Sequence, residues 1–227
     1  MTQEELDKLH VCVDRRVVPV GQAERMALVK DCRWTDDSLS IRFLDGDPGL
    51  QERVKKVARI WTEFANIKFL FGNDPEAQIR ISFKERGSWS YVGTQCLGIA
   101  KHAPTMNFGW LTPATGDEEV MRVVLHEFGH ALGCIHEHQN PAGGIQWNKE
   151  AVYAYYSGHP NYWSRKDVDT NLFQLYDKDL TAHTQLDPHS IMLYPVPAAF
   201  TLDGKAIGGS NKVLSDMDKE FIGKLYP

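Results

Sequence analysis

The spacing of apolar residues divides the chain into strand-like and helix-like stretches. Leu39 to Leu44 (LSIRFL) alternates with a period of two, as a strand with one buried face does. Asp47 and Pro48 then mark a helix start, the first as a cap and the second at the first helical position. From there Leu50, Val54, Val57, Ala58, Trp61 and Ala65 recur at helical spacing, which predicts a helix reaching Asn66. IKFLF and QIRISF read as two more strands, and WSYVG and TMNFGW as two shorter ones. A second helix follows, with Thr115-Gly116-Asp117-Glu118 as a capping box ahead of Val120, Val123, Val124 and Leu125. Gly133 supplies its stop, since glycine takes the left-handed conformation that ends helices. Beyond His138 the pattern loosens. It leaves a helix from Asn148 to Ser157, a capping box at Ser164-Arg165-Lys166-Asp167, and a last helix beginning near Ser215 with Phe221, Ile222 and Leu225. The class is α+β: an N-terminal lobe of sheet and two helices, then an irregular lobe closed by a terminal helix.

Composition narrows the picture. The apolar set makes up 42% of the 227 residues and charged residues 24%, within the range of a globular domain. A net charge of −5 with no basic run beyond Lys55-Lys56 argues against nucleic acid as a partner. No stretch approaches the roughly eighteen apolar residues that a membrane span needs.

The chemistry concentrates in HEFGHALGCIHEH, His126 to His138, which holds four of the nine histidines. His126 and His130 are four apart, so on a helix both rings face one way and can bind one metal ion. Glu127, next to the first of them, can reach a water on that metal without being a ligand itself. A continuing helix would carry His136 to the wrong face, so Gly133 must turn the chain for His136 to act as third ligand. The full pattern H-E-x-x-H-x-x-G-x-x-H fixes five positions, and its chance occurrence in such a chain is on the order of one in ten thousand. The predicted ligands of one Zn2+ are therefore His126, His130 and His136.

On this motif the chain resembles the metzincin metalloproteases. Within that clan it looks most like the astacins, through GSWSYVGT (Gly87 to Thr94), SIMLYP (Ser190 to Pro195), His136-Glu137, and LSDMDKEFIGKLYP at the end. The likeness covers about Leu39 onward. It implies a metzincin-like fold, with a twisted, mostly parallel sheet and a zinc cleft between two lobes. It also implies a methionine turn at Met192 beneath the metal, and a tyrosine, Tyr194, able to approach it. The strand around Trp89 to Gly93 would be the edge to which a substrate adds. The sequence departs from the family at Leu193, usually histidine, at Ser88, usually cysteine, in HQNPAGGIQW after Glu137, and in lacking a terminal cysteine.

The activity implied is a zinc endopeptidase acting on protein or peptide substrates, with Glu127 as general base and acid and Tyr194 holding the oxyanion. Two other readings remain open on the sequence: hydrolysis of a non-protein amide such as a peptidoglycan cross-link, and a silent zinc module that displays a peptide-binding groove. Glu127 argues against the silent module, which needs no base. No roles are expected for His102, His159, His183 or His189.

Residues 1–33 have no counterpart in the family and are expected to form an extension, of a kind with a pro-segment, ahead of a catalytic domain at 34–227. No apolar leader follows Met1 and the family disulfides lack partners, which favours a reducing, cytoplasmic compartment, or a secreted protein if a leader was trimmed. In VCVDRR, Cys12 and Asp14 share one side of an extended segment, and either side chain could lie on the open metal position. A Cys12–Cys32 disulfide, or plain burial of Cys12, is the reading favoured on sequence alone.

Overall fold

The computed structural model describes Cys12 and residues 32–227, apart from 142, 160, 176–184 and 210. In strand β1 (Ser38–Phe43), Leu39 and Ile41 are buried, as the alternation requires. Asp47 caps α1 (Pro48–Ala58) by accepting the Leu50 N–H at 3.0 Å. The predicted run to Asn66 is cut short. The helix tightens into a 3-10 turn at Arg59–Glu63, and the Asn66 N–H leaves it for the Tyr226 carbonyl. Trp61 lies buried in that turn with its indole donating to the Leu125 carbonyl at 2.9 Å, so a tertiary contact sets the end.

Strands β2 (Lys68–Phe71), β3 (Ile79–Ser82), β4 (Ser88–Ser90) and β5 (Met106–Phe108) complete a sheet of order β2-β1-β3-β5-β4. All neighbours are parallel except β4, which runs antiparallel to β5 and forms one edge. Every residue of β3 is buried, as in a strand covered on both faces. Arg80 on β3 satisfies its charge with backbone oxygens, donating to Ala103, Ala77 and Ile99 at 2.8, 2.9 and 3.0 Å. It thereby clamps the loop that leads into β5.

Helix α2 (Asp117–Ala131) packs on α1, β4 and β5 and buries Val124, Leu125 and Phe128 in the main core. Its start differs from the expected capping box. The N-cap is Gly116, and the Thr115 hydroxyl accepts the Thr112 N–H at 2.9 Å within the preceding turn. Three acids in the first turn, Asp117, Glu118 and Glu119, complement the helix dipole instead.

The C-terminal lobe holds α3 (Lys149–Tyr156), capped by Asn148, and the short α4 (Arg165–Val168) with the expected Ser164–Asp167 capping box. Helix α5 (Asp216–Leu225) opens on a Ser215–Asp218 box and returns to the first lobe, where Ile222 and Tyr226 join the main core. A second core gathers Trp89, Val152, Tyr156, Tyr194, Val196 and Phe200. The segment after Ser190 links the two, with Ile191 and Met192 in the first core and Tyr194 and Val196 in the second. Among the described residues no helix is long and apolar enough to cross a membrane. The expected boundary at 33/34 follows a segment that, Cys12 and Cys32–Arg33 apart, lies outside the described residues.

Candidate active site

His126 and His130 stand one turn apart on the buried face of α2, with their rings edge-to-face at 4.9 Å. The Nδ1 of His126 lies 2.8 Å from the Ile191 carbonyl, and that of His130 lies 2.9 Å from the Cys134 carbonyl. A carbonyl only accepts, so each Nδ1 carries the proton and each Nε2 presents a lone pair. Burial, reinforced by neighbouring His130, holds the pKa of His126 well below its ordinary value, so the ring is neutral as a ligand must be.

The turn after α2 is a Schellman motif. Gly133 adopts φ +98°, its N–H donates to His130 at 2.8 Å, and the Cys134 N–H donates to Gly129 at 2.9 Å. One glycine therefore places the carbonyl that orients His130 and sends the chain back toward His136. The Nε2 atoms of His130 and His136 lie 3.1 Å apart. Two nitrogens on a tetrahedral zinc at about 2.0–2.1 Å are separated by about 3.3 Å, so the spacing fits. The Nε2 of His126 is buried with no hydrogen-bond partner. An interior lone pair left in that way is accounted for by a metal ion. The three ring nitrogens and the Cys12 Sγ all lie within 4.8 Å of one another. These donors suit zinc.

Beneath them, a Cβ on Gly129 would fall 2.3 Å from the Met192 Sδ, so the bare backbone between the ligands lets the thioether press against the helix. The Met192 carbonyl accepts the Glu137 N–H at 3.0 Å. Asp218 accepts the Ser190 hydroxyl at 2.7 Å and the Ile191 N–H at 2.8 Å, tying the methionine turn to α5. Glu137 accepts the Asp187 N–H at 3.0 Å and an Asn140 side-chain N–H at 3.1 Å. Burial pushes its pKa up to about 7 against those hydrogen bonds.

Glu127 is 1% exposed beside His126, and its Oε2 accepts the Cys12 thiol at 3.2 Å. The Tyr194 ring lies 4.4 Å from His136 and stacks on His138 at 4.8 Å, while its hydroxyl donates to the Cys12 carbonyl. The structure thus brings together all five predicted residues, His126, Glu127, His130, His136 and Tyr194, and adds Cys12. The favoured Cys12–Cys32 disulfide is not formed: all four cysteines are reduced thiols. Cys12 is held at the histidine cluster, whereas the Cys32 carbonyl accepts the Thr94 N–H at 2.9 Å. Nor is Cys12 simply an apolar filler, because its thiol and carbonyl both meet polar groups of the site. Asp14 and His183 lie outside the described residues, and His102, His159 and His189 are exposed, as expected of histidines without a role.

Several functional groups had no sequence signal or only half of one. The Ile191 and Cys134 carbonyls carry none, because any residue supplies a carbonyl. The last helix was expected to begin near Ser215, but the capping box that Asp218 completes there and its tether to Ser190 and Ile191 were not. His138, stacked on both His136 and Tyr194, belonged to the motif region without an assigned place.

Comparison with known proteins agrees with this geometry. The family profile described as Astacin, a peptidase family, matches residues 28–226. One structure of myroilysin is 46% identical, covers 88% of this chain and 97% of its own, and superposes with a TM-score of 0.85. High choriolytic enzyme 1, a hatching-enzyme zinc-protease of the medaka fish Oryzias latipes, shares the fold at 18% identity and a TM-score of 0.58, covering 93% of this chain and 98% of its own. Interstitial collagenase of Bos taurus is 26% identical over 124 residues, which is 47% of this chain but only 26% of the collagenase's length.

Proposed function

We propose, from the premise that this chain belongs to the astacin family of peptidases, that it is a zinc-dependent endopeptidase with His126, His130 and His136 as ligands and Glu127 as acid–base group. The observation that carries the assignment is the convergence of three imidazoles on one point beside a buried carboxylate. Zinc held there supplies Lewis acidity toward a carbonyl and lowers the pKa of water toward about 7.

The rest is the work of the chain's own residues. The Ile191 and Cys134 carbonyls fix two ring tautomers and keep their Nε2 lone pairs aimed inward. Glu127 takes a proton from the attacking water and delivers it to the leaving amine. Its burial gives that transfer a low-dielectric setting. The Tyr194 hydroxyl, beside His136, donates to the oxyanion as it develops. As the sheet's edge, β4 offers backbone groups to which an extended polypeptide adds as a further strand. That favours a protein or peptide substrate.

Because Cys12 contacts both Glu127 and Tyr194, the test uses Cys12→Ala protein, with and without Glu127→Ala, on a proteome-derived peptide library read by mass spectrometry. The expected result is internal cleavage that drops by roughly two to four orders of magnitude without Glu127, the usual worth of a positioned acid–base group. Equal cleavage by both proteins would overturn the mechanism.

A further inference from the structure

We propose that Tyr226, together with Trp34, is a positioning residue of the zinc centre. It pins the helix end that aims His130 and sends the chain on to His136. The inference rests on the three-histidine zinc reading above. A helix leaves its last carbonyls without partners, and a buried carbonyl left so is costly. At the end of α2 the turn's own N–H groups serve three of them: Leu132 donates to Phe128, Cys134 to Gly129 and Gly133 to His130. The carbonyls of Ala131 and Leu132 remain, on two buried residues. The Trp34 indole donates to the first at 2.8 Å, and the Tyr226 hydroxyl to the second at 2.7 Å. That hydroxyl also accepts the Trp34 N–H at 3.3 Å, so one phenol oxygen joins both clamping residues.

The clamp is itself held. Trp34 and Tyr226 both belong to the main core. The Tyr226 carbonyl accepts the Asn66 N–H at 2.9 Å, and the Asn66 side chain donates to the Pro227 carbonyl at 3.0 Å. Burial pushes the Tyr226 pKa up, so its hydroxyl stays a donor well past neutral pH. On the other side of the turn, the Cys134 carbonyl that orients His130 comes only two residues after Leu132. A Cβ on Gly133 would lie 4.0 Å from the Tyr226 hydroxyl oxygen, so the clamp rests directly on the turn. With the hydroxyl gone, the Leu132 peptide rotates toward another donor and carries the Cys134 carbonyl off the His130 ring. Tyr226 thus acts on the metal through the backbone and not as a ligand.

The test is zinc affinity of the full chain, Tyr226→Phe and Ile222→Val, by competition with a chromogenic chelator well below their melting temperatures. Tyr226→Phe keeps the ring and loses only the hydroxyl. It should bind zinc roughly tenfold more weakly, the low end of what losing support behind a ligand costs. Its cobalt-substituted form should show ligand-field bands shifted from the native ones. Ile222→Val trims the same helix in the same core, and should lower the melting temperature with zinc affinity and cobalt bands unchanged. Made in Cys12→Ala protein, Tyr226→Phe should lower kcat about tenfold with KM nearly unchanged. Should Tyr226→Phe fail to fold, Trp34→Phe, which loses the indole N–H at Ala131, takes its place with the same readouts. A variant that melts lower but keeps native zinc affinity and native cobalt bands would overturn the positioning role and leave the zinc reading standing. Absence of zinc from the native chain would overturn the zinc reading and this inference with it.

Discussion

A histidine becomes a dependable ligand when its second nitrogen is held, and His126 and His130 are held by the Ile191 and Cys134 carbonyls. His130→Ala removes one donor and leaves the Cys134 carbonyl without that ring. Zinc measured by mass spectrometry of metals should fall well below one per chain, and full stoichiometry would remove His130 from the ligand set. Tyr194→Phe, made in Cys12→Ala protein, keeps the ring against His136 and His138 but loses the hydroxyl. It should lower kcat about a hundredfold with KM nearly unchanged, since an oxyanion donor acts on the transition state. An unchanged kcat would leave Tyr194 a packing residue. The histidines and Glu127 were legible in the sequence because zinc chemistry restricts residue type and the helix and its glycine stop restrict spacing, whereas Tyr194 was legible only through the resemblance to the astacins. What orients them was not, since backbone carbonyls carry no side-chain signature.

Two glycines show how whole elements are set by single backbone positions. Gly133, at φ +98°, ends α2 and delivers both the Cys134 carbonyl and His136. Gly133→Ala should cost roughly 1–2 kcal/mol from left-handed strain. Because it also displaces a ligand, melting with and without zinc should show a smaller metal-dependent gap than in the native chain, and an unchanged gap would separate the turn from the site. Gly93 ends the WSYVG stretch, and a Cβ there would sit 1.9 Å from the Cys32 carbonyl oxygen. Gly93→Ala should therefore lower the melting temperature by more than Gly133→Ala, and a smaller fall would mean that Cys32 yields easily. The strands read true from the apolar pattern, Ser164 read true as a cap, and the helix expected from Asn148 to Ser157 forms at Lys149–Tyr156 with Asn148 as its cap, because those signals are local. The Thr115 box and the run to Asn66 read wrongly. There Thr112 and Tyr226, respectively, drew away the groups that the local pattern had assigned to the helix.

At the scale of the molecule, the zinc site is where separate parts of the chain are fastened together. Helix α2 supplies two ligands from the main core, and the segment after Gly133 supplies the third. The methionine turn continues from the main core into the second through Tyr194. Asp218 joins that turn to α5. A metal bound to such a junction stabilises the fold by linkage, about 4 kcal/mol at a free zinc concentration a thousandfold above Kd. For a domain of this size that amounts to a melting shift of roughly 8–16 °C on chelation. The shift should be smaller in His130→Ala, which has lost one of the three imidazole donors. Calorimetry of the native chain and His130→Ala with and without chelator reads the difference directly. Equal shifts in the two proteins would show that His130 takes no part in the metal's hold on the fold.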